Sequence, residues 1–122
     1  MKTLLLVFMG GGLGSISRYG ISRMFVTVPP VFPWATLAAN AVSCMMLGFL
    51  LEWSAKGLLS NDQRMLLMTG FCGGFSTFST FTGETFFLHH RSLFAAMGYV
   101  VLSLAFCMFC LILGMKLATR LS

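Results

Sequence analysis

Gly70-Phe71-Cys72-Gly73-Gly74-Phe75-Ser76-Thr77-Phe78-Ser79-Thr80-Phe81 sets two adjacent glycines and four hydroxyl side chains inside an otherwise apolar run. The chain around it has a mean hydropathy of +0.90. Over its 122 residues 57% are hydrophobic and 9% charged, too apolar for an ordinary soluble domain. In hydrocarbon every backbone polar group needs a partner, so irregular backbone survives there only when buried in protein or lining a wet cavity. Glycine in a helix costs roughly 1 kcal/mol relative to alanine, which makes Gly73 and Gly74 the expected break point of the helix that carries them. A broken helix frees carbonyls and N–H groups that can hold ions. Ser76 and Ser79 are three apart, as are Phe78 and Phe81, so hydroxyls and ring edges form rows on the helix that resumes. The stretch reads as an ion site.

Four apolar segments flank or contain it, 3–23, 32–53, 65–89 and 93–117, and each reaches the ~20 residues a membrane-spanning helix requires. The expected architecture is an all-α membrane protein, one domain over 1–122 with four transmembrane helices. The third is broken near its middle, and both termini lie on one side. The first apolar segment is too long for a signal peptide and is expected to remain in place. Lys2, Lys56, Arg64, Lys116 and Arg120 fall on the terminal side, against Arg18, Arg23 and Arg91 on the other. That bias is too slight to fix an orientation, so insertion both ways round is expected. The net charge of +5 comes without a basic run or interleaved aromatics, which favours anchoring to lipid headgroups and no nucleic acid.

Polar residues inside the spans are few. Gly10 and Gly14 make a small face for close helix approach. A dinucleotide loop is excluded, because Ser15 stands where a third glycine would fall and no acid follows before Glu52. Arg18, a turn beyond Gly14, is either a functional charge or a side chain snorkelling to the interface. Thr36, Asn40 and Ser43 form one stripe, and the Asn40 amide could serve a dehydrated anion or glue two helices together. Tyr99, Ser103 and Cys107 share a face of the last span. Glu84 is the one acid placed inside a span, expected to pair with Arg18 or to face a vestibule. His89 and His90 read as a polar turn with no assigned role. Cys44, Cys72, Cys107 and Cys110 read as buried small hydrophobes, since neither a disulfide framework nor a second pair for zinc is present. No His or acid is placed to activate Ser76 or Ser79, so serine hydrolysis is unsupported and no enzyme is expected.

Gly11-Gly12-Leu13-Gly14-Ser15 with Arg18-Tyr19, Thr36-Leu37 with Asn40, and above all the run 70–81 resemble the Fluc (CrcB) family of bacterial fluoride channels. The resemblance covers essentially the whole chain. It implies a multi-pass protein of the bacterial inner membrane that exports cytoplasmic fluoride passively and so confers fluoride resistance. It implies an antiparallel, dual-topology homodimer with two fluoride pores and a structural sodium ion (Na+) at the dimer interface, held by backbone carbonyls that fall on Gly73 and Ser76. The family's phenylalanine box falls on Phe78 and Phe81, its pore amide on Asn40 with the hydroxyls of Ser79 and Thr80 beside it. The polar track of the last helix falls on Tyr99 and Ser103, then Cys107, where a hydroxyl is more usual and a thiol is a weaker donor. Arg18 and Glu84 occupy family positions as structural or vestibule charges, the latter near a pore entrance.

Two other readings compete. A small dual-topology multidrug-type exporter needs a carboxylate in the first span, where this chain has Arg18. A non-transporting membrane assembly subunit would use the polar stripes only as helix glue.

Overall fold

The computed structural model describes all residues, 1–122. Five helices make up the chain: α1 Lys2–Met24, α2 Trp34–Ala55, α3 over 61–75, α4 Phe78–Arg91 and α5 Leu93–Leu121. Three of them, α1, α2 and α5, are long and apolar enough to cross a membrane. α3 opens with Asn61–Gln63, winds as a π-helix over Arg64–Cys72 and closes with Gly73–Phe75. Such i→i+5 winding is rare and concentrates at functional sites.

Local chemistry sets the helix ends. Ser60 and Gln63 form a reciprocal capping box at the start of α3. Ser92 accepts from the Ala95 N–H to start α5 only one residue after α4 ends. α2 begins at Trp34, two residues later than the apolar segment suggests, with Pro33 as its cap. A residue before proline is pushed toward extended backbone, so Phe32 cannot join the helix.

The helices pack as two parallel pairs. α1 runs along α3, with Lys2 paired to Asp62 at one end, Gly10 and Gly14 buried in the seam and Gly74 packed against it. A methyl group on Gly10 would strike the Leu66 carbonyl, and one on Gly74 the Gly11 backbone, so only glycine permits this approach. α2 runs along α5. Phe32 meets Tyr99 edge-on at 5.3 Å near one end, Gly48 abuts the Leu111 backbone farther along, and Lys56 reaches the Ser122 hydroxyl at the other end. Both termini therefore lie at the same end. Tyr99, Leu88 and Ala96 form a small core with Phe32 and Phe81 packed against it. Large apolar side chains such as Phe8, Leu13, Phe94 and Phe109 stay exposed, a surface suited to lipid.

The break lies downstream of its expected position. Gly73 keeps helical backbone (φ −64°, ψ −37°), whereas Ser76 (ψ 161°) and Thr77 (φ −149°, ψ 119°) are extended. The glycine pair was expected to break the helix through weak propensity. Instead Gly74 contributes close contact with α1, and the chain opens where hydroxyl and amide side chains can take over the backbone hydrogen bonds.

Candidate functional site

Two extended residues cost the helix its i→i−4 bonds, and the diverted donors define the site. The Thr77 N–H, which would have reached Gly73 O, donates to Asn40 Oδ1 at 2.7 Å, and Asn40 Nδ2 donates back to Thr77 O at 3.1 Å. The Thr80 N–H, which would have reached Ser76 O, donates to Thr77 Oγ1 at 3.3 Å and so caps α4. Gly73 O and Ser76 O are thereby left without their helical partners, and no loop or side-chain donor replaces them. These are the two carbonyls on which the sodium expectation fell. Gly73 is also exposed, with open space where a side chain would be.

Neighbouring carbonyls are closed off. Cys72 O accepts from Ser76 N, Ser76 Oγ and Ser43 Oγ, each at 3.0 Å. Gly74 O accepts from Arg18 Nε at 3.3 Å and Ser15 Oγ at 3.4 Å. Arg18 is thus tied to the break and makes no ion pair with Glu84. The Glu84 carboxylate instead accepts from Thr36 Oγ1 at 2.7 Å and Tyr99 Oη at 2.8 Å, joining α2, α4 and α5. One donor per oxygen suits a carboxylate that has left bulk water.

Beyond the break, an aromatic ladder follows. Phe78 and Phe81 have ring centroids 5.9 Å apart, and Phe81 lies 5.1 Å from Tyr99. Phe78 is 78% exposed on the single chain, whereas Tyr99 is fully buried. Ser79 and Thr80 are exposed beside Phe78, with the Thr80 hydroxyl accepting from Thr77 Oγ1 at 3.0 Å. Ser103 is 5% exposed and its hydroxyl has no partner. Two cavities adjoin. One of about 320 Å³ is lined by Arg18, Ser15, Thr36, Thr77 and Thr80. The other, about 550 Å³, lies between the α1–α2 loop and the end of α4, with Glu84, His90 and Arg91 in its wall.

The structure therefore gathers Asn40, Gly73, Ser76 and Thr80 at one break, and Phe78, Phe81, Tyr99 and Glu84 along one ladder. Ser103 stands a turn beyond Tyr99 and Cys107 a further turn on, half-buried. Thr77 is the residue that sequence reasoning missed. Its signal was a hydroxyl three positions before Thr80 at the start of a helix, the usual N-cap pattern.

An apolar bundle with a helix interrupted at a cluster of freed carbonyls and N–H groups is the architecture of a multi-pass membrane protein. The chain belongs to the CrcB family: the family described as "CrcB-like protein, Camphor Resistance (CrcB)" matches residues 5–115. It is 36% identical over 122 residues to the fluoride-specific ion channel FluC of Gloeothece citriformis, covering 98% of this chain and 99% of the relative. It is 47% identical over 89 residues to the protein of that name from Pyrococcus abyssi, covering 72% of each. With the one from Rhizobium etli it shares 38% identity over 120 residues, covering 96% of each.

Proposed function

We propose that this chain is a fluoride-selective channel of the bacterial inner membrane, through which cytoplasmic fluoride leaves passively. In this reading α3 and α4 together supply a fourth crossing. At 1.5 Å per residue each is about 20 Å long, short of a ~30 Å hydrocarbon core alone. Two chains then pack antiparallel around two pores. The names of the relatives support the ion, and one observation carries the pore. α4 starts partway along the apolar helices, on a face the single chain leaves open, where the N–H groups of Phe78 and Ser79 have no intrahelical partner and take no loop or side-chain acceptor. A helix N-terminus in such a place attracts an anion.

Fluoride holds its water strongly, so a pore must offer donors in its place. Asn40 Nδ2 has two hydrogens and uses one on Thr77 O, which leaves one to give. Ser79, Thr80 and the unpartnered Ser103 add hydroxyls, and the edges of Phe78 and Phe81 add positive ring quadrupole. The Tyr99 hydroxyl is engaged by Glu84, so Tyr99 serves mainly to hold Phe81 in place. Arg18 and Arg91 in the cavity walls raise the anion concentration at the entrances. A negative-inside potential then drives the anion out with about 2.3 kcal/mol per 100 mV.

The free carbonyls of Gly73 and Ser76 would hold a sodium ion, and their diverted donors fit that role. When bound, such an ion supplies fixed positive charge in a low-dielectric interior.

Liposomes loaded with fluoride and chloride test the reading. Rapid fluoride efflux seen by an ion-selective electrode, with chloride retained, is the expected result. Retention of both ions by a correctly folded, reconstituted protein in sodium buffer would overturn it.

A further inference from the structure

A third cavity, of about 380 Å³, opens between α2, α3 and α5. α2 packs on both neighbours, which scarcely touch each other, so it forms the floor and they form the walls. Met45, Met46 and Phe49 lie on the floor, Leu67 and Phe71 on one wall and Leu117 on the other, and no charged or hydroxyl side chain lines the hollow. Phe49 is nine positions beyond Asn40, which sets it on the opposite side of α2 from the amide that meets the break. The hollow is therefore separate from the site described above.

Its rim is positive. α2 and α5 finish, and α3 starts, at the end of the bundle where the termini lie. Arg64 stands about a turn before Leu67 and Arg120 about a turn after Leu117, both exposed at that end. The chain has three acidic side chains, and each is engaged elsewhere: Asp62 with Lys2, Glu52 with Lys56, Glu84 with Thr36 and Tyr99. Neither arginine has an ionic partner within the chain. Trp53 packs on Phe49 with ring centroids 4.6 Å apart, a turn nearer the same end, and an indole so placed marks the headgroup level.

A ligand for this surface needs an apolar chain and an anionic head. A phospholipid of net negative charge has both, and it is already the solvent of the outer helix faces. The flexible thioethers of Met45 and Met46 adapt to a disordered acyl chain, and a guanidinium fork matches a phosphate in two hydrogen bonds. We propose that this hollow is a specific site for one anionic phospholipid, with an acyl chain against Met45, Phe49 and Leu117 and the headgroup phosphate at Arg64 and Arg120. The site does not depend on the channel reading.

Phosphatidylglycerol with a photoreactive diazirine in one acyl chain, present as a trace in phosphatidylcholine liposomes holding the full-length protein, tests the assignment. Label is expected within 45–50, 67–71 and 114–117. Unlabelled phosphatidylglycerol should displace it about 25-fold better than further phosphatidylcholine, a factor of about five for each arginine near the surface. Arg64→Gln and Arg120→Gln should each cut that preference about fivefold, whereas Arg23→Gln, at the opposite end, should leave it unchanged. The map of label on the unmutated protein is independent of how any variant folds. Label spread evenly over the lipid-facing helices, displacement that is equal for the two lipids, or a preference that survives both arginine substitutions would overturn the site. A hollow free of label would overturn it too, and would mean that a second copy of the chain covers it.

Discussion

Asn40 faces Thr77 with both halves of its amide, an acceptor for the N–H and a donor for the carbonyl. Asn40→Asp keeps the acceptor, but sets a carboxylate oxygen against Thr77 O and removes the spare N–H. Fluoride efflux should fall to the protein-free background, and thermal unfolding should reveal a loss of about 1–3 kcal/mol. A variant with normal efflux would remove the amide from the pore. Phe81→Ile separates transport from stability in another way. It deletes a ring packed at a tilt between Phe78 and Tyr99, a loss of about 1 kcal/mol in pair energy, so the protein should stay folded while efflux disappears. At this scale the sequence made Asn40, Phe78, Phe81 and Glu84 visible because polar and aromatic residues stand out in apolar spans. The partners were not visible. Glu84 could have been assigned to Arg18 on charge alone, and only the packing of α2 against α5 shows that two hydroxyls reach it first.

The seam between α1 and α3 turns on glycines that look alike in sequence and differ in surroundings. Gly74 packs on the Gly11 backbone, whereas nothing lies within 4 Å of a side chain placed at Gly12. Gly74→Ala should therefore destabilise by about 1–3 kcal/mol as the helices part. Gly12→Ala should gain up to about 1 kcal/mol from helix propensity. Circular dichroism melts of the two variants in detergent give the comparison, and equal shifts would contradict the seam. The helices themselves were legible from length and hydropathy, with ends off by a few residues. The break was misplaced by about a turn, because propensity marks where a helix is weak. It does not mark where other groups can receive its backbone, and that depended on Asn40 and Thr77 meeting across two helices. The π-winding of Arg64–Cys72 has no counterpart in the apolar pattern.

For the whole molecule, the open face at Gly73 is informative because the single chain puts nothing there. On the proposed pairing of two chains, Gly73→Trp should leave helicity and folding intact, and light scattering after gel filtration should give the mass of one chain where the unmutated protein gives two. A persistent dimer would mean that the second copy does not seat on this face. The slight charge bias pointed only to insertion both ways round; the pairing of two copies came from the family resemblance, because the pattern of one chain does not display a neighbour. The tie between Asn40 and Thr77 also bears on how the protein is made. Synthesis runs from the N-terminus, so Asn40, 37 positions upstream, leaves the ribosome well before Thr77 does. The polar gap in the later segment thus enters a bilayer in which its partner has already arrived, and the nascent chain carries its own template for the irregular turn.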